Sequence, residues 1–337
     1  MADTATLIVG PSWVGDMVMA QSLFKLLKQR DPERALDVLA PEWSLPVVAR
    51  MPEIRQGIAS ATGHGELGIG KRRRIGYELR GQYDRAIVLP RSLKAALEPW
   101  FAGIETRTGY RGETRYLLIN DMRPFDRDIL DQTVKRFLAL GLKPDEKLPP
   151  APYPSLRVDE DRQRDLLGNL EIDTDRPVIA LMPGAEYGPA KCWPLPKFAD
   201  LATRLKAEGY DVWILGSDRD EPAGQAIADN SAARNLCGKT SLEDVIDLLA
   251  FAEQAVSNDS GLMHIAAATG TFTHAIYGSS SPHFTPPLTN NSEVHYLDLE
   301  CSPCFERECP LGHLRCLNEI DAHTLLGTIL SCRRRIR

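Results

Sequence analysis

The sequence predicts an α/β protein made of two doubly wound, Rossmann-like domains facing across a cleft. Three observations carry this expectation. Short apolar runs alternate with stretches of helical spacing. The alternation stops at one Pro-rich segment and then restarts. Glycine- and serine-bearing turns follow several of the apolar runs. Strands of a parallel sheet are buried on both faces and read as near-continuous apolar runs, which is the pattern here.

In the first half, Thr6–Val9, Leu36–Ala40 and Arg85–Leu89 read as strands, with helical patterns over about 16–30, 43–50, 92–102 and 127–141. The stretch LKPDEKLPPAPYPSL, 142–156, is polar and Pro-rich and reads as a linker, which divides the chain into domains 1–148 and 149–337. In the second half, 177–184 is a strand ending in a Pro-Gly turn. A helix follows over 196–209, with Phe198, Leu201, Ala202 and Leu205 on one face and Gly209 as its stop. Strands are expected at 210–216, 253–259 and 272–278. Ser241 caps a helix over 241–252, a short helix covers 260–270, and a last helix closes the chain.

Composition narrows the function classes. Of 337 residues 43% are hydrophobic and 26% charged, an ordinary globular balance, and the net charge of −6 argues against a nucleic-acid partner. No run approaches the ~18 apolar residues of a membrane span. The N-terminus lacks the basic and apolar regions of a secretory signal, so a cytoplasmic protein is expected. Seven cysteines in such a chain do not make a disulfide scaffold.

Three second-half loops, 182–194, 215–221 and 257–264, fall at the C-terminal ends of strands, the edge where open α/β sheets bind ligands. Asn258, Asp259, Ser260 and Gly261 are small turn formers directly ahead of a helix. Backbone N–H groups of Ser260 and Gly261 at a positive helix end suit a diphosphate, and Gly261 allows close approach. Lys191 adds a full positive charge. The bland alternative is an N-cap at Asp259 or Ser260 and a solvated Lys191. His264, set among alanines, reads first as a packed histidine and second as a ligand contact.

The first-half loop GPSWVGDMVMA, 10–20, follows the first strand. Gly10 and Gly15 lack the G-x-G-x-x-G spacing of a phosphate loop, Pro11 and Trp13 intrude, and Asp16 brings a carboxylate. If a diphosphate is held by the second domain, Asp16 suits a general base acting on an incoming hydroxyl. The alternative is that it caps a helix over 17–29.

Five motifs in order, GPSWVGDMVMAQSL, RTGYRGETRYLLIND, PGAEYGPAKCWP, NDSGLMHIAAA and YGSSSPHFTPPL, resemble the lipopolysaccharide heptosyltransferases of glycosyltransferase family 9, from about residue 6 to about residue 290. The resemblance implies a GT-B fold, with the nucleotide sugar on the C-terminal domain and the acceptor on the N-terminal one. It implies inverting transfer of L-glycero-D-manno-heptose from ADP-heptose to the first heptose of the lipopolysaccharide inner core (heptosyl-Kdo2-lipid A). No metal or other cofactor is required for that reaction. By the same resemblance Asp16 is the base and Lys191 stabilises the leaving diphosphate. Asp259, Ser260 and Gly261 form the donor loop, and an acid within 218–221, Glu221 ahead of Asp220, holds the ribose.

The implied acceptor is an acidic glycolipid. Lys94 and Arg111 lie within family-like motifs. Arg72 and Arg73 of the run Lys71–Arg74, together with Arg107 and Arg115, are further candidates, against which stands a solvated charged surface. The tail Arg333–Arg337 suits contact with the anionic cytoplasmic face of the inner membrane, or a solvated helix end. Rival readings are a first or a later heptosyltransferase of the family, a sugar-nucleotide 2-epimerase on the same fold, and a non-catalytic binder. The epimerase needs a set of acids and a histidine that the sequence does not offer, and a binder has no need of a base.

One segment stands outside this scheme. Cys301, Cys304, Cys309 and Cys316 follow the spacing C-x2-C-x4-C-x6-C with His313 inside. Four such thiols suit a structural zinc or iron–sulfur site, although a zinc ribbon has two CxxC knuckles and only one is present. Reduced cysteines are the alternative.

Overall fold

The structure, a computed structural model, describes residues 5–60, 67–172 and 175–336, with side chains up to Cys332. The chain divides into units 1–157 and 158–337. The first contains β1 (Ala5–Val9), α1 (Val14–Arg30), β2 (Ala35–Ala40), α2 (Leu45–Ala49), β3 (Gln56–Ala59), α3 (Ile69–Glu78), β4 (Arg85–Val88), α4 (Leu97–Phe101), β5 (Thr106–Tyr110), β6 (Asp121–Arg123) and α5 (Thr133–Leu140). Its sheet runs β3-β2-β1-β4-β5-β6 with every neighbouring pair parallel.

The second unit contains α6 (Glu160–Asn169), β7 (Val178–Met182), α7 (Leu195–Ala207), β8 (Asp211–Ile214), α8 (Glu221–Asp229), β9 (Arg234–Asn235), α9 (Leu242–Phe251), β10 (Gln254–Asn258), α10 (Gly261–Ala268), β11 (Phe272–Ile276), β12 (Ser292–His295), α11 (Arg315–Asn318) and α12 (Ala322–Ile336). Its sheet runs β12-β11-β10-β7-β8-β9, again parallel throughout. Counting strands from the start of each unit, both sheets have the doubly wound order 3-2-1-4-5-6. The order reverses between β1 and β4 in the first unit and between β7 and β10 in the second. A crevice opens outside the strand ends at such a switch point.

Central strands are apolar because helices cover both faces: ATLIV of β1 and VIALM of β7 are buried at every position. In the second unit Trp193, Phe198, Leu201, Leu205, Val212 and Ile214 pack with Leu317, Leu325 and Ile329 from the C-terminal helices.

Several expected boundaries change. α1 starts at Val14, with Trp13 in extended conformation before it, so Asp16 lies in the first turn of the helix and is not its N-cap residue. The pattern over 127–141 yields a helix only over Thr133–Leu140, because the Asp126 carboxylate accepts from the backbone N–H groups of Asp128 and Ile129 and holds a turn there. The 92–102 pattern breaks into a 3-10 turn, Lys94–Ala96, and the short α4. The Pro-rich 142–156 segment is no free tether. Its end is tied to α1: Ser22 Oγ donates to Pro152 O at 2.7 Å, Lys25 Nζ to Tyr153 O at 2.7 Å, and Gln21 exchanges two hydrogen bonds with Ser155.

Among the described residues no helix is long and apolar enough to cross a membrane. The basic tail Arg333–Arg337 lies outside the residues whose side chains are described.

Candidate functional site

In the second unit, the loops after β7 and β10 meet at the switch point. Asn258, the last residue of β10 and fully buried, joins them. Its Oδ1 accepts from Trp193 N at 2.9 Å and its Nδ2 donates to Pro183 O at 2.6 Å. One side chain thereby pins both ends of the segment 183–193 that carries Lys191. Trp193 is anchored in turn, its Nε1 donating to Ile320 O at 3.1 Å.

Lys191 Nζ lies 2.6 Å from Asp259 Oδ2, with side-chain exposures of 18% and 5%. The ammonium also stands 5.0 Å from the Tyr187 ring centroid. The two residues that sequence reading set in separate loops are therefore partners. Ser260 precedes α10, whose first turn opens with Gly261, and Ser260 Oγ lies 3.3 Å from Ser257 Oγ. Asp259, Ser260 and Gly261 thus form the turn into a helix N-terminus beside a lysine, a place where backbone N–H groups and a cation suit an anion.

His264 is buried on α10, and burial pushes its pKa down to about 4, Asp259 raising it and Lys191 lowering it in smaller measure. It is neutral at pH 7. At the next strand end, Asp220 Oδ2 accepts from both Ser217 N and Ser217 Oγ at 2.8 Å. A Cβ on Gly184 would stand 2.3 Å from Asp220 Oδ1, so only glycine fits against that carboxylate. Asp220 is committed to its turn. Glu221 is exposed in the first turn of α8, and its carboxylate has no hydrogen bond or ion pair among the described residues.

The Cys-rich segment forms the outer side of the Lys191 loop. Ala190 N donates to Arg307 O at 3.0 Å, Tyr187 Oη to Phe305 O at 2.5 Å, and Phe305 N to Ser279 O at 2.7 Å. Gly188 has φ +153°, and a Cβ there would lie 2.6 Å from Arg307 O. Cys301, Cys304, Cys309 and Cys316 are free thiols, and among the described residues no three His, Cys, Asp or Glu side chains are grouped to hold a metal ion. Burial pushes the Cys316 thiol up in pKa, and the neighbouring Cys301, Cys304 and Cys309 add to that.

In the first unit, Asp16 is half-buried at the C-terminal edge of the sheet, on the loop-to-helix junction after β1. Trp43 Nε1 donates to Ser12 O at 2.8 Å and steadies that loop. Lys94 is half-buried and Arg111 exposed, at the edges after β4 and β5. Arg73 is exposed, its Nε donating to Tyr77 Oη at 3.0 Å.

Three acceptor candidates are engaged within the fold. Arg72 is buried in an ion pair with Glu98, also donates to Leu67 O, and belongs to the packing of α3 on α4. Arg115, 2% exposed, donates to the carbonyls of Tyr110, Pro90 and Ser92. Arg107 donates to Leu118 O and Ile104 O. Each guanidinium satisfies backbone or a buried acid, which a charge run in sequence does not reveal. Sequence reading missed Arg91 and Phe125, which line a cavity of about 670 Å³ with Arg111 and Arg123. A signal existed in the arginines that follow β4 and β5 at the ligand edge.

Fold and loops of this kind define a glycosyltransferase of the GT-B type. The solved Escherichia coli ADP-heptose lipopolysaccharide heptosyltransferase II has a TM-score of 0.87 and 40% identity, covering 97% of this chain and 98% of that one. Lipopolysaccharide heptosyltransferase 2 of Salmonella typhimurium is 47% identical over 301 residues, 86% of each chain. Its Escherichia coli counterpart is 45% identical over 301 residues, again 86% of each. The chain belongs to glycosyltransferase family 9 (heptosyltransferase), whose model matches residues 72–315.

Proposed function

We propose that this heptosyltransferase moves L-glycero-D-manno-heptose from ADP-heptose to the first heptose of the lipopolysaccharide inner core. The observation that carries the reading is the identity of 45–47% over 86% of the chain to lipopolysaccharide heptosyltransferases 2, joined to a lysine held at a helix N-terminus. Asp16 takes the proton of the attacking hydroxyl as that oxygen bonds to the anomeric carbon, and ADP departs with the electrons of the broken C–O bond. Inversion needs one displacement and no covalent sugar–enzyme intermediate. Lys191 and the N–H groups at Ser260 and Gly261 take up charge on the leaving diphosphate. Asp259 and His264 line the donor loop, and Glu221 holds the ribose, because Asp220 already serves its own turn. Lys94, Arg111 and Arg73 face the acidic acceptor. The reaction takes place at the cytoplasmic face of the inner membrane.

The test is transfer from ADP-heptose to purified acceptors carrying either no heptose or one, with wild type beside Asp16→Asn. Transfer to the one-heptose acceptor alone is expected. Asp16→Asn retains ADP-heptose binding and loses ~10²–10⁴-fold in kcat. Transfer to the heptose-free acceptor would make this a first heptosyltransferase, and turnover within threefold of wild type in Asp16→Asn would remove that residue from the role of base.

A further inference from the structure

The cavity of about 670 Å³ in the first unit is built from residues at the ends of three adjacent strands. Arg91 lies three residues beyond β4, Arg111 directly after β5, and Arg123 closes β6. This is the same sheet edge on which Asp16 follows β1. The size falls within the range of small-molecule sites, and the lining is cationic.

Its arginines are of two kinds. Arg123 is satisfied by both oxygens of Asp121 at 2.9 Å and by Leu142 O. Arg91 and Arg111 have no ion pair or hydrogen bond from the guanidinium among the described residues. They rest instead on aromatic faces: Arg91 lies 4.4 Å from the Phe125 centroid and Arg111 5.7 Å from that of Tyr116. A guanidinium over a ring gains cation–π attraction without using its N–H groups, whose fork matches a carboxylate or phosphate.

The two arginines are also fixed through the backbone. Glu113 N donates to Arg91 O at 3.2 Å, and the Glu113 carboxylate accepts from Leu93 N at 2.8 Å. A Cβ on Gly112 would lie 2.0 Å from Arg91 O, so this approach requires glycine. The surroundings add positive charge. Arg115 is pushed down to about 10 by burial, with the Arg91 charge adding to it, and Arg136 is lowered by burial and then by Arg91. Two guanidinium groups without an ion pair among the described residues, near further cations and with the Glu113 carboxylate turned to the Leu93 N–H, suit an anion.

We infer that Arg91 and Arg111, with Phe125 as the stacking floor, form a subsite for the oxyanion of an acidic saccharide, a phosphate or carboxylate borne by the acceptor. This deepens the transferase reading and rests on it for the identity of the acceptor.

Two measurements decide it. The first is calorimetric titration of the full chain with mannose 6-phosphate, glucuronate and mannose. At least one anionic sugar is expected to bind tenfold or more tightly than mannose, and the preferred one names the oxyanion. Arg91→Ala and Arg111→Ala each lose that preference, while Arg91→Lys, which keeps charge but not the stacked fork, restores only part. Thermal unfolding confirms that the variants fold. Equal binding of mannose, or an anion preference unchanged in Arg91→Ala, overturns the inference. The second is transfer kinetics, where Arg91→Ala is expected to raise acceptor KM tenfold or more and leave ADP-heptose KM unchanged. An unchanged acceptor KM also overturns it. Wild type inactive toward every acceptor would refute the transferase reading, while the titration still decides the subsite.

Discussion

Asn258→Ala isolates how the Lys191 loop is held. Wild-type Asn258 uses both ends of its amide, accepting from Trp193 N at 2.9 Å and donating to Pro183 O at 2.6 Å. Pro183, Trp193 and Asn258 are all buried. Alanine leaves one buried N–H and one buried C=O without partners, each costing about 1–3 kcal/mol, so the second unit loses about 2–6 kcal/mol. Asn258→Asp keeps the acceptor but sets a carboxylate oxygen against Pro183 O, so it gains nothing over alanine. The assay is native-state hydrogen exchange of β7 and β10 with a parallel urea titration, since the two units need not unfold together. Because both pins flank Lys191, ADP affinity by calorimetry falls at least tenfold in the same variant. A loss of stability under 1 kcal/mol, with ADP affinity intact, would refute the clamp.

Two further outcomes follow from buried charge. Arg72→Ala strands Glu98, whose carboxyl burial already pushes up in pKa and Arg72 pulls down, and costs about 3–5 kcal/mol of stability in denaturant titration. Exposed Arg73→Ala stays within about 0.5 kcal/mol, and a similar loss in both variants would place Arg72 at the surface. Burial lowers the pKa values of His264 to about 4, His274 to about 3 and His295 to about 4, so the unfolded chain binds these protons first as pH falls. Stability is full above about pH 7 and declines through the window from 6.5 toward 4, His264 alone accounting for about 3 kcal/mol. Urea midpoints across that window measure the slope, and His264→Gln flattens it; an identical slope in the variant contradicts the assignment.

Legibility in sequence followed burial. β1 and β7 were readable because strands covered on both faces are near-continuous apolar runs, whereas the equally buried β10 (QAVSN) carries Gln254, Ser257 and Asn258 and was legible from the turn formers that follow it. The edge strands β3 (QGIA), β6 (DMR), β9 (RN) and β12 (SEVH) are short and polar and leave no periodic trace. The glycine- and serine-bearing turns at the C-terminal strand ends were legible, because turn chemistry is local. Pairings were not local. Glu98 lies 26 residues from Arg72, and Asp259 lies 68 from Lys191, so neither partner is visible from the residue itself. The run Lys71–Arg74 therefore read as uniform charge, although one of its members is buried.

The Lys191–Asp259 contact has a consequence for traffic through its loop. At 2.6 Å the Asp259 carboxylate offsets the Lys191 ammonium, so the pair offers passing anions little net charge. On the proposed donor reading, an incoming diphosphate would take the lysine over from a carboxylate that remains beside it. A lone inorganic anion brings one interaction to that exchange, whereas an elongated ligand brings contacts along its whole length. On departure the sequence would reverse, with Asp259 recapturing the lysine as the anion lets go. On the donor-site reading proposed above, the carboxylate would thus discourage small ions from occupying the turn and ease the exit of a spent nucleotide.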